Sequence, residues 1–150
     1  MVEVLYENAR DPEIVVCEST GVWAARLKVA LARCPVTIRQ ARSLDELAVH
    51  LSTGICALVA IEFRPSWLEE IVELLSRIRC DHQGTESVVL CRQGAGSDIW
   101  WLREAGATAT VSRVEDVYPV TRLIRRHLRR FIAFDAARGP DVIQIRLPWV

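Results

Sequence analysis

The stretch ALVAIEFRP, residues 57–65, carries an apolar run into a carboxylate, Glu62, with Arg64 and Pro65 just beyond it. A buried strand accounts for the run but not for the acid at its end. A carboxylate so placed is a candidate catalytic acid, a candidate metal ligand, or the residue of a site that has been lost. Three further segments end in the same way, on groups able to do chemistry. EIVVCES (13–19) closes on Cys17, Glu18 and Ser19, SVVLC (87–91) closes on Cys91, and TATVS (108–112) is followed by Arg113.

Those groups must be held by a scaffold, and the apolar spacing describes one. TGVWAARLKVALARC (20–34) places Trp23, Leu27, Leu31 and Cys34 on one helical face, and PVTIRQ (35–40) reads as a strand. SLDELAVHL (43–51) opens with Ser43 and, three residues on, Glu46, the pairing of a capping box. CALVAIEF (56–63) is apolar on both alternating faces, as a strand covered by helices on each side must be. SWLEEIVELLSRIR (66–79) repeats the capping pattern with Ser66 and Glu69, and SDIWWLREAGA (97–107) is a short helix stopped by Gly106. YPVTRLIRRHLRRF (118–131) is a last helix with Pro119 in its first turn.

Five strand–helix pairs predict an α/β fold, a mostly parallel sheet with helices on both faces and right-handed crossovers. Such sheets bind ligands beyond the carboxyl ends of their strands, which is where Glu18, Glu62, Cys91 and Arg113 are expected. At 150 residues the chain makes one domain able to bury roughly 70% of its unfolded surface. Its formal net charge is zero, so the overall balance points neither to nucleic acid nor to a membrane. No long apolar segment or signal-peptide pattern is present, and a cytoplasmic location is expected. The five cysteines, at 17, 34, 56, 80 and 91, are scattered and odd in number, the pattern of reduced thiols. No Gly-rich phosphate cradle occurs; RQGAGSD (92–98) comes nearest and lacks the spacing.

The passage LREAGATATVSRV (102–114), together with this spacing, resembles the receiver domain of bacterial two-component response regulators. The resemblance covers residues 13–131, leaving extensions at 1–12 and 132–150. It implies a CheY-like, flavodoxin-like three-layer sandwich with a five-stranded parallel sheet in the order 2-1-3-4-5. In that family an Asp ending the third strand accepts a phosphoryl group, and Glu62 takes its place here. Acids ending the first strand hold Mg²⁺, and they fall on Cys17 and Glu18, or on Glu18 and Ser19 if the alignment shifts by one. The hydroxyl residue of the fourth strand matches Cys91, and the lysine that grips the phosphoryl group matches Arg113.

Every chemical position is therefore altered. Exchanging Asp for Glu displaces the carboxylate by roughly 1.5 Å, and misplacement on that scale costs on the order of a hundredfold in rate. A thiol at Cys17 is a poor ligand for Mg²⁺. The expectation is a degenerate pocket, a pseudo-receiver with no catalytic residue, no metal and no cofactor, in which Glu62 pairs with Arg113. The alternative is a divergent receiver that is still phosphorylated at Glu62 or binds metal through Glu18.

Function then falls to surfaces. In the family the output face is built from the fourth helix, fifth strand and fifth helix. Here Trp100 and Trp101 stand side by side on the fourth helix, about 100° apart, so both cannot be buried. The fifth helix bears Arg122, Arg125, Arg126 and Arg129, with His127 among them as a surface residue. The expected partner is a protein, a second copy of the chain included, rather than nucleic acid or membrane. MVEVLYEN and VIQIRLPWV alternate apolar and polar residues and could add short strands at one edge, pairing with each other or with a second subunit, the alternative being flexible tails.

Overall fold

Five strands form one parallel sheet, β1 (Glu13–Cys17), β2 (Thr37–Ala41), β3 (Cys56–Glu62), β4 (Glu86–Leu90) and β5 (Ala109–Val111), ordered β2-β1-β3-β4-β5. The computed structural model describes residues 11–53, 56–91, 96–113 and 117–137, with backbone alone at 53 and 131–137. The expected pairing of the terminal extensions therefore lies outside the described residues, apart from Pro12, whose carbonyl accepts the Thr37 N–H. All seven residues of β3 are buried, as its two-sided apolar pattern requires of the central strand.

Two layers of helices cover the sheet. On one face α1 (Val22–Ala30) and α5 (Val117–Ala137) bury Trp23, Leu27, Leu31, Val120, Ile124 and Leu128 against the strands. On the other, α2 (Leu44–Thr53), α3 (Leu68–Asp81) and α4 (Asp98–Ala105) bury Leu47, Leu51, Ile71, Leu75, Ile78 and Leu102. The sheet separates two apolar cores because every interior strand is apolar on both faces.

The helix boundaries show which local signals act. Ser43 Oγ accepts the Glu46 N–H at 3.1 Å, and the Glu46 carboxylate reaches back to the Arg42 N–H at 2.8 Å. The expected box is therefore formed, one residue wider than its usual form. The second expected box, Ser66 with Glu69, is not formed. Pro65 follows an extended Arg64 and winds a 3-10 turn, Pro65–Trp67, closed by the Trp67 N–H on the Arg64 carbonyl at 2.8 Å. Ser66 is thus inside a turn rather than at a helix cap, and no side chain caps α3.

At the end of α4, Gly106 adopts φ +123° and frees the Ala107 N–H to reach the Leu102 carbonyl at 3.0 Å, the C-terminal stop read from the sequence. The last helix continues to Ala137, past residue 131, because no Gly or Pro follows Pro119 until Gly139.

Candidate functional site

The carboxyl ends of β1 and β3 meet in one cleft. In the parallel register Cys17 sits beside Ala41 on one side and Ile61 on the other, while Glu62 sits beside Leu90. Glu18, Glu62, Cys17 and Cys91 are all buried, so the sheet brings these four sequence-predicted residues together at one end.

Each carboxylate there has a defined task. Glu18 Oε2 accepts the Trp23 N–H at 3.0 Å, and Oε1 accepts the Ala24 N–H at 2.7 Å. These are among the first N–H groups of α1, which have no carbonyl partner within the helix, and a carboxylate also opposes the positive end of the helix dipole. Gly21 makes the approach possible. Its φ of +78° turns the chain back toward β1, and a Cβ there would meet the Gln40 side chain at 3.4 Å. Neighbouring Glu62 Oε2 accepts the Ser19 N–H at 3.2 Å, so both acids support the loop between β1 and α1.

Arg113, expected to pair with Glu62, is exposed. The charge that reaches the cleft comes from Arg64, two residues past Glu62. Its guanidinium carbon lies 4.3 Å from the centre of the Trp67 ring. The Cys17 thiol feels it. Burial pushes that thiol up to about 11, Arg64 pulls against the shift, and Glu46, Glu62 and Glu18 add to it. Burial likewise raises the Cys91 thiol.

Arg64 and Glu46 thus act electrostatically on the Cys17 thiol, and the strand-end rule passed them over. Arg64 was nonetheless visible in the sequence as the cation closing the 57–65 stretch.

This donor set does not fit a magnesium ion. Mg²⁺ needs hard oxygen ligands in near-ideal octahedral geometry. Cys17 presents a protonated sulfur, both Glu18 oxygens hold backbone N–H groups, and one Glu62 oxygen holds the Ser19 N–H. A metal there would share the Glu18 carboxylate with two backbone N–H groups at the start of α1. The two carboxylates fix the β1–α1 loop.

The surface candidates divide between two layers. Leu102 is buried and Ile99 partly so, which turns Trp100 and Trp101 outward at 58% and 55% exposure. Their rings pack edge to face with centres 4.8 Å apart. Arg122, Arg125, Arg126 and Arg129 are exposed on α5, in the layer on the other side of the sheet. Arg125 turns toward α1, its Nη2 donating to the Ala30 carbonyl at 3.1 Å. His127 is not the surface residue expected among them. It faces inward, with Nδ1 3.8 Å from Glu86 at the start of β4. At the same amino end of the sheet, His50 and Arg39 converge on Glu13 at 3.5 and 3.1 Å. A cavity of about 440 Å³ also lies at that end, between α3 and α4, and includes Arg79, Glu86 and Arg103 in its lining.

The sequence matches no family model and no curated protein. Solved structures do resemble the fold. A response regulator from Thermotoga maritima superposes with a TM-score of 0.68 at 19% identity, covering 79% of this chain and 98% of its own. The signal receiver domain of an HD domain-containing protein from Pseudomonas fluorescens Pf-5 gives 0.68 at 22% identity, over 88% and 96%. A CheY-like protein (tadZ) from Pseudomonas aeruginosa PAO1 gives 0.64 at 19%, over 77% and 98%. With its strand order, its two helical layers and these neighbours, the chain has the fold of the response regulator receiver domains.

Proposed function

We propose that this chain is a receiver-like signalling module, not an enzyme, whose output passes through protein contacts and does not depend on phosphorylation. The observation that carries this reading is the use made of Glu18. The acid standing where a receiver would hold its metal gives both oxygens to the Trp23 and Ala24 N–H groups. Phosphoryl transfer relies on positioning and charge neutralisation. Here the acid that would hold a metal is committed to a helix end, and Arg113, in the place of the lysine, is turned to solvent. The buried Glu62 carboxylate then stands in the acceptor's place, holding the Ser19 N–H.

Incubation with a small phosphodonor and Mg²⁺, followed by intact mass measurement, tests this directly. The expected mass is that of the unmodified chain. A stoichiometric phosphoryl adduct on Glu62 would establish the divergent, phosphorylated receiver instead.

The contact point of this module is the Trp100/Trp101 pair, since exposed aromatic residues of this kind supply the anchors of protein interfaces. A second copy of the chain is the first partner to test. In sedimentation over a range of concentrations, the wild type should self-associate and a Trp100→Ala/Trp101→Ala variant should stay monomeric. Its unfolding free energy should change by less than about 1 kcal/mol, because neither ring belongs to a core. Unchanged association in the variant would move the contact elsewhere.

A further inference from the structure

The zero net charge of the chain conceals a separation of charge between its two helical layers. No Asp or Glu occurs between residues 19 and 44 or between 117 and 130, the two segments that contain α1 and the described side chains of α5. The acids are on the other layer, with Asp45, Glu46, Glu69, Glu70 and Glu73 all exposed on α2 and α3. On α5, Arg122, Arg125, Arg126, Arg129 and Arg130 recur every three to four residues and are all exposed, opposite the buried Val120, Ile124 and Leu128. Beside it, α1 and the turn after it add Arg26, Lys28 and Arg33, also exposed. The bond from Arg125 to the Ala30 carbonyl clamps the two helices into one surface.

Apolar side chains stand among these cations. Helix α1 is apolar on both sides. Trp23, Ala24 and Leu27 face the sheet, while Val22, Ala25 and Val29, spaced i, i+3 and i+7, face outward. Val29 is 80% exposed, and Tyr118, at the start of α5, is 73% exposed.

We propose that the α1/α5 face is a docking surface for an anionic lipid bilayer, on which the arginines meet the headgroups and Val22, Val29 and Tyr118 enter the headgroup–acyl boundary. Two features select this occupant. The face offers a cluster of positive charge with no exposed carboxylate among its described residues, the complement of an anionic leaflet. Its protruding valines have nothing to gain from a phosphodiester backbone, whereas the membrane interface accepts basic and apolar groups side by side. No described helix is long and apolar enough to cross a membrane, so the mode is attachment to the surface. This inference is independent of the Trp100/Trp101 contact, which lies on the other layer.

Co-sedimentation of the full chain with vesicles tests it. The protein should bind phosphatidylcholine vesicles containing phosphatidylglycerol at least tenfold more tightly than phosphatidylcholine alone, and the difference should shrink as salt is raised. At about fivefold in affinity per basic residue, Arg122→Ala/Arg126→Ala/Arg129→Ala should weaken binding by roughly a hundredfold with an unchanged circular dichroism spectrum. Val29→Ser, which adds no charge, should weaken it through the apolar contact. Equal binding to both vesicle types, no binding to either, or full binding by the triple variant would overturn the proposal. So would a short DNA duplex that binds more tightly than the mixed vesicles, which would make a nucleic acid the occupant.

Discussion

Glu18→Ala is expected to lower the thermal unfolding midpoint by roughly 5–15 °C. The side chain is 1% exposed and satisfies two N–H groups at the start of α1 with bonds of 3.0 and 2.7 Å. Removing it leaves both donors in a site closed to solvent, where an unmet backbone group costs about 1–3 kcal/mol and a lost helix cap alone about 0.5–2 kcal/mol. A loss of about 2–4 kcal/mol follows, and a chain of this length shifts about 2–4 °C for each kcal/mol.

Glu18→Gln separates shape from charge. It keeps one acceptor oxygen but turns an NH₂ group toward the second backbone N–H, so it should lose at least half as much. A Glu18→Gln protein as stable as the wild type would show that the carboxylate is not needed for the cap. The same comparison bears on function, because a Glu18 that could be replaced without cost would be available for a metal.

Stability is also expected to fall steeply between pH 9 and pH 11. Burial raises the Cys17 thiol from its ordinary 9.0 to about 11 and the Cys56 thiol from 9.0 to about 12. Both folded-state values lie above the unfolded one. Below about pH 9 neither thiol ionises in either state, and their full contribution is present. Above it, the unfolded chain releases protons that the folded chain retains, and each thiol removes about 1.4 kcal/mol per pH unit. Two thiols over two pH units remove on the order of 5 kcal/mol, comparable with the whole stability of a small domain.

Urea midpoints at pH 8, 9.5 and 10.5 measure this slope. Cys17→Ala/Cys56→Ala should be less stable at pH 8, through lost packing, yet show a much flatter decline. A decline as steep as the wild type's would assign alkaline unfolding to other groups.

Much of the fold could be read directly from the chain because it is written in periodicity. The two-sided apolar run of β3, the Ser43–Glu46 box and the Gly106 stop are local features, and local physics realises them with little help from distant residues. Ser66 shows the limit of such reading. Its capping pattern is as good as that of Ser43, but Pro65 winds the chain there into a tighter turn and takes Ser66 out of the capping position.

The cleft was legible only in part. Strand ends in a parallel sheet converge, so Cys17, Glu18, Glu62 and Cys91 could be placed together without knowing their contacts. Which donor each carboxylate takes depends on how a loop folds over it. The left-handed turn at Gly21 brings the Ser19 N–H to Glu62 and the head of α1 to Glu18. Arg64 precedes the turn at Pro65 and rests its guanidinium on the face of Trp67, a contact no local pattern announces.

By itself, then, the sequence determined the elements, their alternation and the residues gathered at the strand ends, because periodicity and β-α-β chirality act along the chain. Only the tertiary structure decided the partners of the buried acids, the outward turn of the tryptophans and the sorting of a neutral chain into a basic layer and an acidic one. Hydrogen bonds act over about 3 Å and surface charge over a Debye length of about 8 Å, so both depend on which elements become neighbours in space.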